Sequence, residues 1–361
     1  MACFTTEFIL HTDNTNAVAV DSCQIGQCIW VVQRLVGYKF SMHKWNIDTS
    51  IWDTIDFKNR EVIEYDNGLS SVTDFRISSS DNKLYMWRKH FGYSKICRFD
   101  TTTYEWTLMW NVSVTQPSQP EIVVLNTDFY LKSGNKTINT IFSSSTEAGH
   151  YKFPNGDNGK PNIMGLCGVD GVLFLIEILQ NGRRSVVKFD RGSNTFVNDE
   201  TVYDAPRSYL AHSGTGREYQ TSTYAYNNKI YQRVQSKDRL MIDCFDIEAM
   251  EFHTVFDTVH NGDDVVNMSG TDKYAYIVYQ RNGAVGIRVI DYNPTLETLS
   301  LITTVDHTID NQDNFEAVKE VLPCGLREKF ENMVTWKTKE WNKLKREKNA
   351  KSSKTRLFGA C

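Results

Sequence analysis

Hydrophobic and polar positions along this chain repeat with a long period. An aromatic residue stands in an apolar stretch, an Asp or Asn usually follows about fifteen residues later, and a further large residue usually comes six after that. The clear copies are Trp30, Asn46 and Trp52; Tyr85, Asp100 and Trp106; Phe174, Asp190 and Phe196; Tyr231, Asp246 and Phe252; Tyr276, Asn293 and Leu299; a weaker copy is Tyr130, Ser143 and Gly149. Repeats of this length that cannot bury their own faces indicate a toroidal or stacked fold.

Each repeat predicts four short strands. The second repeat is the clearest, with apolar segments at Val72–Ile77, Lys83–Trp87, Ser94–Phe99 and Tyr104–Trp110 separated by turn residues. Short strands with regularly spaced turns are typical of barrels, sandwiches and propellers, and a four-stranded unit of this length favours the propeller. We therefore expect an all-β fold, a six-bladed β-propeller of four-stranded blades.

Two stretches resemble kelch repeats, Arg98–Trp106 and, more loosely, Phe245–Phe252. The resemblance covers roughly residues 17–305 and implies a divergent kelch-like propeller. It departs from the family in one respect, because the Gly-Gly pair that usually ends the second kelch strand is absent.

The two ends of the chain lead to separate predictions about closure of the ring and about a C-terminal extension. Thr5–His11 precedes the first blade and has the composition of a strand that could close the ring, whereas the outer strand of the sixth blade is expected at Thr298–Val305. We expect the propeller to span residues 1–310 and a helical extension with a basic tail to span residues 311–361. Apolar residues at helical spacing predict an amphipathic helix that ends near Lys348 and packs either on the propeller or on a partner.

Charge is distributed unevenly along the chain. Residues 336–361 hold nine Lys/Arg and two acids (+7), which leaves 31 basic and 42 acidic residues (−11) for the rest. An acidic body disfavours nucleic acid as a ligand, and only the tail is basic enough to touch phosphates.

Composition and motifs argue against a secreted, a membrane-spanning or a metal-binding protein. The N-terminus lacks the pattern of a signal peptide, and no apolar run is long enough to span a bilayer. None of the eight cysteines forms a CxxC pair, and no histidines pair at metal-ligand spacing. We therefore expect no metal, no cofactor and no membrane contact, and a cytoplasmic or nuclear location.

No hydrolase, metalloprotease or nucleotide-binding motif is present, so we expect a protein that is not an enzyme. A carbohydrate-active propeller enzyme remains an alternative, since paired carboxylates need only spatial proximity.

The hairpins expected between the second and third strands of the blades are rich in basic residues. They contain thirteen Lys/Arg and one acid, Asp238. In a propeller these hairpins emerge on one face, and guanidinium groups bind carboxylates and phosphates well. We therefore predict a protein partner with an acidic or phosphorylated segment. The residues predicted to bind it are Arg34, Arg88, Lys89, Arg183, Arg184, Lys237, Arg239 and Arg281, with Tyr38 and Tyr93 as aromatic neighbours. Acidic residues expected in the connections between blades offer the opposite outcome, a neutralised ring. They are Asp53, Asp56, Glu61, Glu64, Asp66, Asp257, Asp263 and Asp264.

A second alternative concerns the region after the last blade. Ser300–Ile309 and Val321–Phe330 loosely resemble a SOCS box, although Val305 stands where the box has Cys. That resemblance implies elongin and cullin partners and a role as the substrate receptor of a ubiquitin ligase.

Overall fold

The computed structural model describes the following residues: 4–10, 17–37, 39–64, 75–90, 93–112, 121–125, 128–133, 137–141, 148–152, 163–178, 184–190, 195–197, 202–203, 220–235, 239–259, 264–281 and 284–292. The chain divides into two compact units, Cys3–Tyr292 and Asn293–Cys361. All described residues belong to the first unit. The predicted C-terminal helix and the SOCS-like segments therefore lie outside the described residues.

The described strands form antiparallel sheets in chain order. A first strand, β1, spans Phe4–Leu10. Blade 1 contains β2 (Ala17–Ile25), β3 (Cys28–Leu35), β4 (Phe40–Asn46) and β5 (Trp52–Ile55). Blade 2 contains β6 (Phe75–Ser80), β7 (Lys83–His90), β8 (Tyr93–Asp100) and β9 (Glu105–Val112). Blade 3 contains β10 (Glu121–Leu125), β11 (Asp128–Ser133), β12 (Thr137–Ile141) and β13 (Ala148–Lys152). A 3-10 turn, Arg60–Val62, lies in the connection between blades 1 and 2.

The remaining strands complete the propeller. Blade 4 contains β14 (Ile163–Val169), β15 (Val172–Ile178), β16 (Arg184–Asp190) and β17 (Thr195–Val197), and β18 (Val202–Tyr203) adds a fifth strand beside β16. Blade 5 contains β19 (Gln220–Tyr226), β20 (Lys229–Gln235), β21 (Arg239–Asp246) and β22 (Glu251–Val259). The closing blade contains β23 (Asp264–Gly270), β24 (Tyr274–Arg281) and β25 (Ala284–Asp291), which continue into β1.

The first strands of the sheets form a closed ring. β2 contacts β6, β6 contacts β10, β10 contacts β14, β14 contacts β19, β19 contacts β23, and β23 returns to β2. Side chains add to these contacts, since the Thr223 hydroxyl of β19 donates to the Leu166 carbonyl of β14 at 2.6 Å. The predicted β-propeller of four-stranded blades is therefore confirmed.

The closing blade corrects the prediction that six repeats each supply a complete blade. Five blades are built from consecutive strands, whereas the closing blade takes its outer strand from the other end of the unit, where β1 pairs with β25 from Phe4 opposite Asp291 to Leu10 opposite Val285. The segment Thr298–Val305, expected in that position, lies outside the described residues. Pairing the two ends holds the ring shut with backbone hydrogen bonds and covers two sheet edges.

A charged cluster fastens β1 to the closing blade. The Arg288 side chain donates to Glu7 Oε1 through Nε at 2.9 Å and Nη2 at 2.5 Å, and the Tyr279 hydroxyl donates to Glu7 Oε2 at 3.3 Å. Gly286 lies opposite Tyr279, where a Cβ would stand 2.5 Å from the tyrosine ring. The glycine therefore makes the room in which the tyrosine reaches the glutamate.

The residues of the repeated sets have recurring roles. The aromatic of each set lies buried on the second strand of its sheet, from Trp30 on β3 to Tyr276 on β24. The aspartate opens the turn between third and fourth strands, where Asp100 Oδ1 accepts the Thr102 N–H at 2.9 Å and the Thr103 N–H at 3.2 Å. These two hydrogen bonds lower the pKa of Asp100, because they favour the charged carboxylate. Asp246 binds the following turn in the same way.

Candidate functional site

The hairpins that join second and third strands lie at one end of the propeller, which we call the hairpin end, because the sheets are antiparallel and run in the same order. Several predicted partner-binding arginines lie at this end but not on its surface. Arg34 is 9% exposed, and Arg88 and Arg184 are 0% exposed. This corrects the expectation that the arginines of these hairpins are presented to solvent, since three of them are interior residues between blades.

Arg184 belongs to an ion pair between blades 4 and 5. Its Nη2 donates to Asp243 Oδ2 at 2.5 Å, and neither side chain is exposed. The Thr254 hydroxyl donates to the other oxygen of Asp243 at 2.8 Å. A buried charge needs such partners because its desolvation is costly. The sequence contains both residues, but they are 59 positions apart and the pairing becomes visible only when blade 5 packs on blade 4.

Two further predicted residues have acidic partners. Arg239 binds Asp257 through Nε and Nη2, each at 2.6 Å from a carboxylate oxygen. Arg281 Nη2 lies 3.8 Å from Glu7 Oε1, beside the stronger contact of Arg288. Asp257, which lies on the outer strand β22 and not in a connection between blades, and Glu7 on β1 therefore neutralise this side of the hairpin end.

The interface between blades 1 and 2 is different. Arg34 is on the same face of β3 as the core residues Trp30 and Val32, and Arg88 is on the same face of β7 as the core residues Leu84 and Met86. These faces meet between blades 1 and 2. Each is the antiparallel neighbour of a phenylalanine, Phe40 for Arg34 and Phe75 for Arg88, and the two rings meet edge to face at 5.4 Å. The two arginines therefore flank one aromatic contact at the hairpin end.

The contacts around Arg88 bring further basic groups together. Arg88 Nη1 donates to the backbone carbonyl of Ile63, in the connection between the blades. Lys95 lies opposite Arg88 on β8, and burial together with the Arg88 charge lowers the pKa of Lys95. The nearby Glu64 carboxylate accepts the Phe40 N–H at 3.0 Å and Arg60 Nη1 at 3.3 Å. We call Arg34, Lys39, Arg60, Arg88 and Lys95 the basic cluster.

Two exposed apolar side chains lie at the same end, and sequence reasoning missed them. Val36 is 68% exposed, the highest value among the large apolar residues that the structure describes, and Val18 is 55% exposed. Val36 is in the hairpin between β3 and β4, and Val18 is near the start of β2. Their sequence neighbours are apolar as well, so the pattern alone does not separate them from core valines.

The remaining predicted residues are only partly described. Lys89 and Tyr93 lie in β7 and β8, opposite Ser94 and His90. Arg183, Lys237 and Tyr38 lie outside the described residues. Their part in partner binding stays a prediction.

The described part of the first strands contains one interior carboxylate, Asp21. It is buried, and its oxygens accept the Ile77 N–H at 2.8 Å and the Ser22 N–H at 2.9 Å. Burial raises the pKa of Asp21 despite these hydrogen bonds. In the residues that the structure describes, no three His, Cys, Asp or Glu side chains gather as metal ligands would. Nor does any helix in those ranges have the length and apolar character that crossing a membrane requires.

No family model matches the chain, and no curated protein matches it either. The kelch resemblance is therefore a likeness of two short stretches. Among solved structures, the Malassezia sympodialis allergen Mala s 1 has a TM-score of 0.51 at 11% identity, with 80% of this chain and 98% of that chain covered. An Aleuria aurantia lectin has a TM-score of 0.50 at 11% identity, with coverage of 75% and 91%.

A Trypanosoma rangeli sialidase gives a TM-score of 0.49 at 12% identity and is matched over 87% of this chain. The present chain spans 61% of the sialidase's length. At such identities, the two structures that reach a TM-score of 0.50 support the propeller fold and nothing more specific.

Proposed function

We propose that this propeller is a non-catalytic protein-binding module that recognises an acidic or phosphorylated segment of a partner at the hairpin end of blades 1 and 2. The observation that supports this proposal is that five basic residues, the basic cluster, lie together at that end. Arg88 donates to the Ile63 carbonyl and lies opposite Lys95, and Arg34 lies on the other side of the contact between Phe40 and Phe75.

The members of the basic cluster would divide the work by their exposure. Lys39 is exposed, Lys95 is half-buried, and Arg60 keeps 46% of its side-chain surface while it pairs with Asp56 at 3.1 Å and with Glu64 at 3.3 Å. Arg34 and Arg88 lie in the interior behind them. An anionic side chain at the rim would contact Lys39 and Lys95.

The test avoids the buried arginines, because replacing them would damage the fold and imitate a loss of binding. We would compare the wild-type chain with Lys39→Glu/Lys95→Glu in affinity purification from cells. The matched control is Lys83→Glu/Lys188→Glu, which reverses the same number of charges on blades 2 and 4 away from the cluster.

We expect partners that are retained by the wild type and the control but lost by the Lys39/Lys95 variant, and an affinity that falls as salt rises. Thermal unfolding of all three proteins would show that the fold is intact. Recovery of the same partners with both variants would contradict the proposal.

A further inference from the structure

A surface with an exposed aromatic residue lies at the other end of the propeller. We call it the turn end, because the antiparallel strands of each sheet place there the turns between first and second strands and between third and fourth strands. Tyr226 ends β19 at this place and is 39% exposed, the only aromatic among the exposed large apolar residues that the structure describes. A single exposed apolar residue is ordinary, so its neighbours decide whether Tyr226 belongs to a site.

Tyr226 lies beside a turn of the closing blade. Two residues earlier on the same face of β19, the Tyr224 hydroxyl donates to the Thr271 carbonyl at 3.0 Å. Thr271 begins the turn between β23 and β24, and its N–H donates to the Tyr274 carbonyl at 2.8 Å. Lys273 is in this turn, with its Nζ 4.9 Å from the centroid of the Tyr274 ring. The turn end therefore already holds one ammonium group of the chain against an aromatic ring.

Tyr276 connects these residues with blade 1. Its ring centroid lies 6.4 Å from that of Tyr274 and 5.9 Å from that of Trp45 on β4. Burial raises the pKa of the Tyr276 hydroxyl to about 12. Three further groups raise this pKa electrostatically and therefore lie near the hydroxyl: Tyr274, Asp48 and Tyr226. Rings from blade 5 and from the closing blade thus lie near a carboxylate of blade 1.

That carboxylate has the charge and the exposure to bind a cation. Asp48 is in the turn between β4 and β5, is exposed, and makes no ion pair within the part of the chain that the structure describes. Asp272, in the turn that carries Lys273, is exposed as well. Ile51 follows Asp48 in its turn and is 59% exposed, so an apolar contact is available beside the charge. Lys and Arg combine a cationic head with an aliphatic stem, which matches this arrangement.

We propose that Tyr226, Tyr274 and Asp48, which we call the cation site, bind a Lys or Arg side chain of a partner protein. Aromatic faces attract such cations, and the Lys273 contact shows that Tyr274 accepts one. A divalent metal ion would need a larger set of oxygen ligands, and no three His, Cys, Asp or Glu side chains of the described residues gather to supply it. The cation site is independent of the proposed function, since it lies at the opposite end of the propeller.

The experiment measures Kd by fluorescence polarisation for labelled peptide pools that have degenerate flanks and a central Lys, Arg, norleucine or Glu. Norleucine keeps the aliphatic stem of lysine without its charge. The test variants are Tyr226→Leu, which removes the ring, Asp48→Asn, which removes the charge, and Lys273→Gln, which removes the competing ammonium group. The matched controls are Tyr226→Phe, which keeps the ring, and Asp81→Asn, which changes an exposed acid in a turn of blade 2.

We expect the wild type to bind the Lys and Arg pools more tightly than the norleucine and Glu pools. Tyr226→Leu should weaken binding of the Lys pool about fivefold and Asp48→Asn about threefold, whereas both controls should bind as the wild type does. Lys273→Gln should bind the Lys pool about threefold more tightly, because the ligand no longer competes for the Tyr274 ring. A purely structural role of these residues would give no such gain. The melting temperatures of all variants should match that of the wild type.

Equal Kd for the Lys and norleucine pools, or equal Kd for Tyr226→Leu and Tyr226→Phe, overturns the cation site. So does a Lys273→Gln variant that binds the Lys pool more weakly than the wild type. Lys39→Glu/Lys95→Glu, the variant that tests the hairpin end, should bind the Lys pool as the wild type does, so that either proposal can fail without the other.

Discussion

Two interfaces between blades each bury an arginine at the same end of the propeller, but the two arginines donate to different groups. Between blades 4 and 5, Arg184 meets Asp243 at 2.5 Å and the charges cancel. Between blades 1 and 2, Arg88 donates to the Ile63 carbonyl, and Lys95 is its strand neighbour. The residue type and its place near a hairpin are alike, so the difference comes from the opposing blade and the connection that crosses it.

The comparison separates structural from recognition chemistry. A neutral buried pair contributes little field beyond its own surroundings, so the blade 4–5 interface is a packing element. Arg88 is held by the Ile63 carbonyl, and its strand neighbour Lys95 adds a second basic group at the hairpin end. The sequence alone assigns Arg34, Arg88 and Arg184 to one partner-binding ring. In the structure, Arg184 is part of a packing interface, whereas Arg34 and Arg88 lie in the interior behind the candidate site.

The largest expected effect comes from breaking the neutral pair. Arg184→Met removes the cation and leaves the Asp243 carboxylate buried, which should lower the free energy of unfolding by about 3–5 kcal/mol. Urea denaturation measures the change. The double variant Arg184→Met/Asp243→Leu should recover most of the loss, since no buried charge remains. A single variant within 1 kcal/mol of the wild type would mean that the pair is not a structural element, contrary to the comparison.

Blade 1 also contains a buried histidine that is held by neutral polar groups and responds to pH. His43 is buried, with Nδ1 3.1 Å from the Thr54 hydroxyl and Nε2 3.3 Å from the Ser41 hydroxyl. Burial lowers the pKa of His43 from 6.5 to about 4, because the charged imidazolium is desolvated. Between these two pH values, the His43 imidazole therefore binds a proton in the unfolded chain but not in the folded chain.

Stability should accordingly fall as pH drops from 6.5 towards 4, by about 3 kcal/mol at full extent for a shift of this size. The measurement is urea unfolding at steps from pH 7.0 to 4.5 for the wild type and for His43→Gln, which retains polar contacts without titrating. The difference between the two profiles should shrink or reverse with acid. Parallel profiles would show that His43 is not responsible.

The smallest of the three effects concerns Arg88. Arg88→Met removes a charged donor from the Ile63 carbonyl, so we expect a loss in the free energy of unfolding of about 1.5–3 kcal/mol, less than for Arg184→Met. Chemical denaturation of the two variants side by side provides the ranking. A larger loss in the free energy of unfolding for Arg88→Met than for Arg184→Met would contradict this difference between the two interfaces.

Much of the fold follows from local pattern. The aromatic of each repeat, the aspartate that opens a turn and the residue that starts the outer strand are short-range features, and the structure places Tyr85, Asp100 and Trp106 accordingly. The strand expected at Thr5–His11 does close the ring, as β1, whereas the prediction of a sixth blade built from consecutive strands was wrong because the last strand of the closing blade comes from the far end of the unit. Glu7 and Arg288 are 281 positions apart, and no local signal announces their contact.

For the candidate site, the sequence by itself determined the all-β repeat, the turn chemistry and the concentration of basic residues near one set of hairpins. Only the tertiary structure decided which of those residues are buried, which meet a carboxylate and which valines stay exposed. Strand alternation states that a side chain faces one neighbouring blade or the other, whereas burial and charge pairing depend on what the facing blade presents. Arg88 and Arg184 therefore look alike in the sequence and acquire different roles when the blades pack.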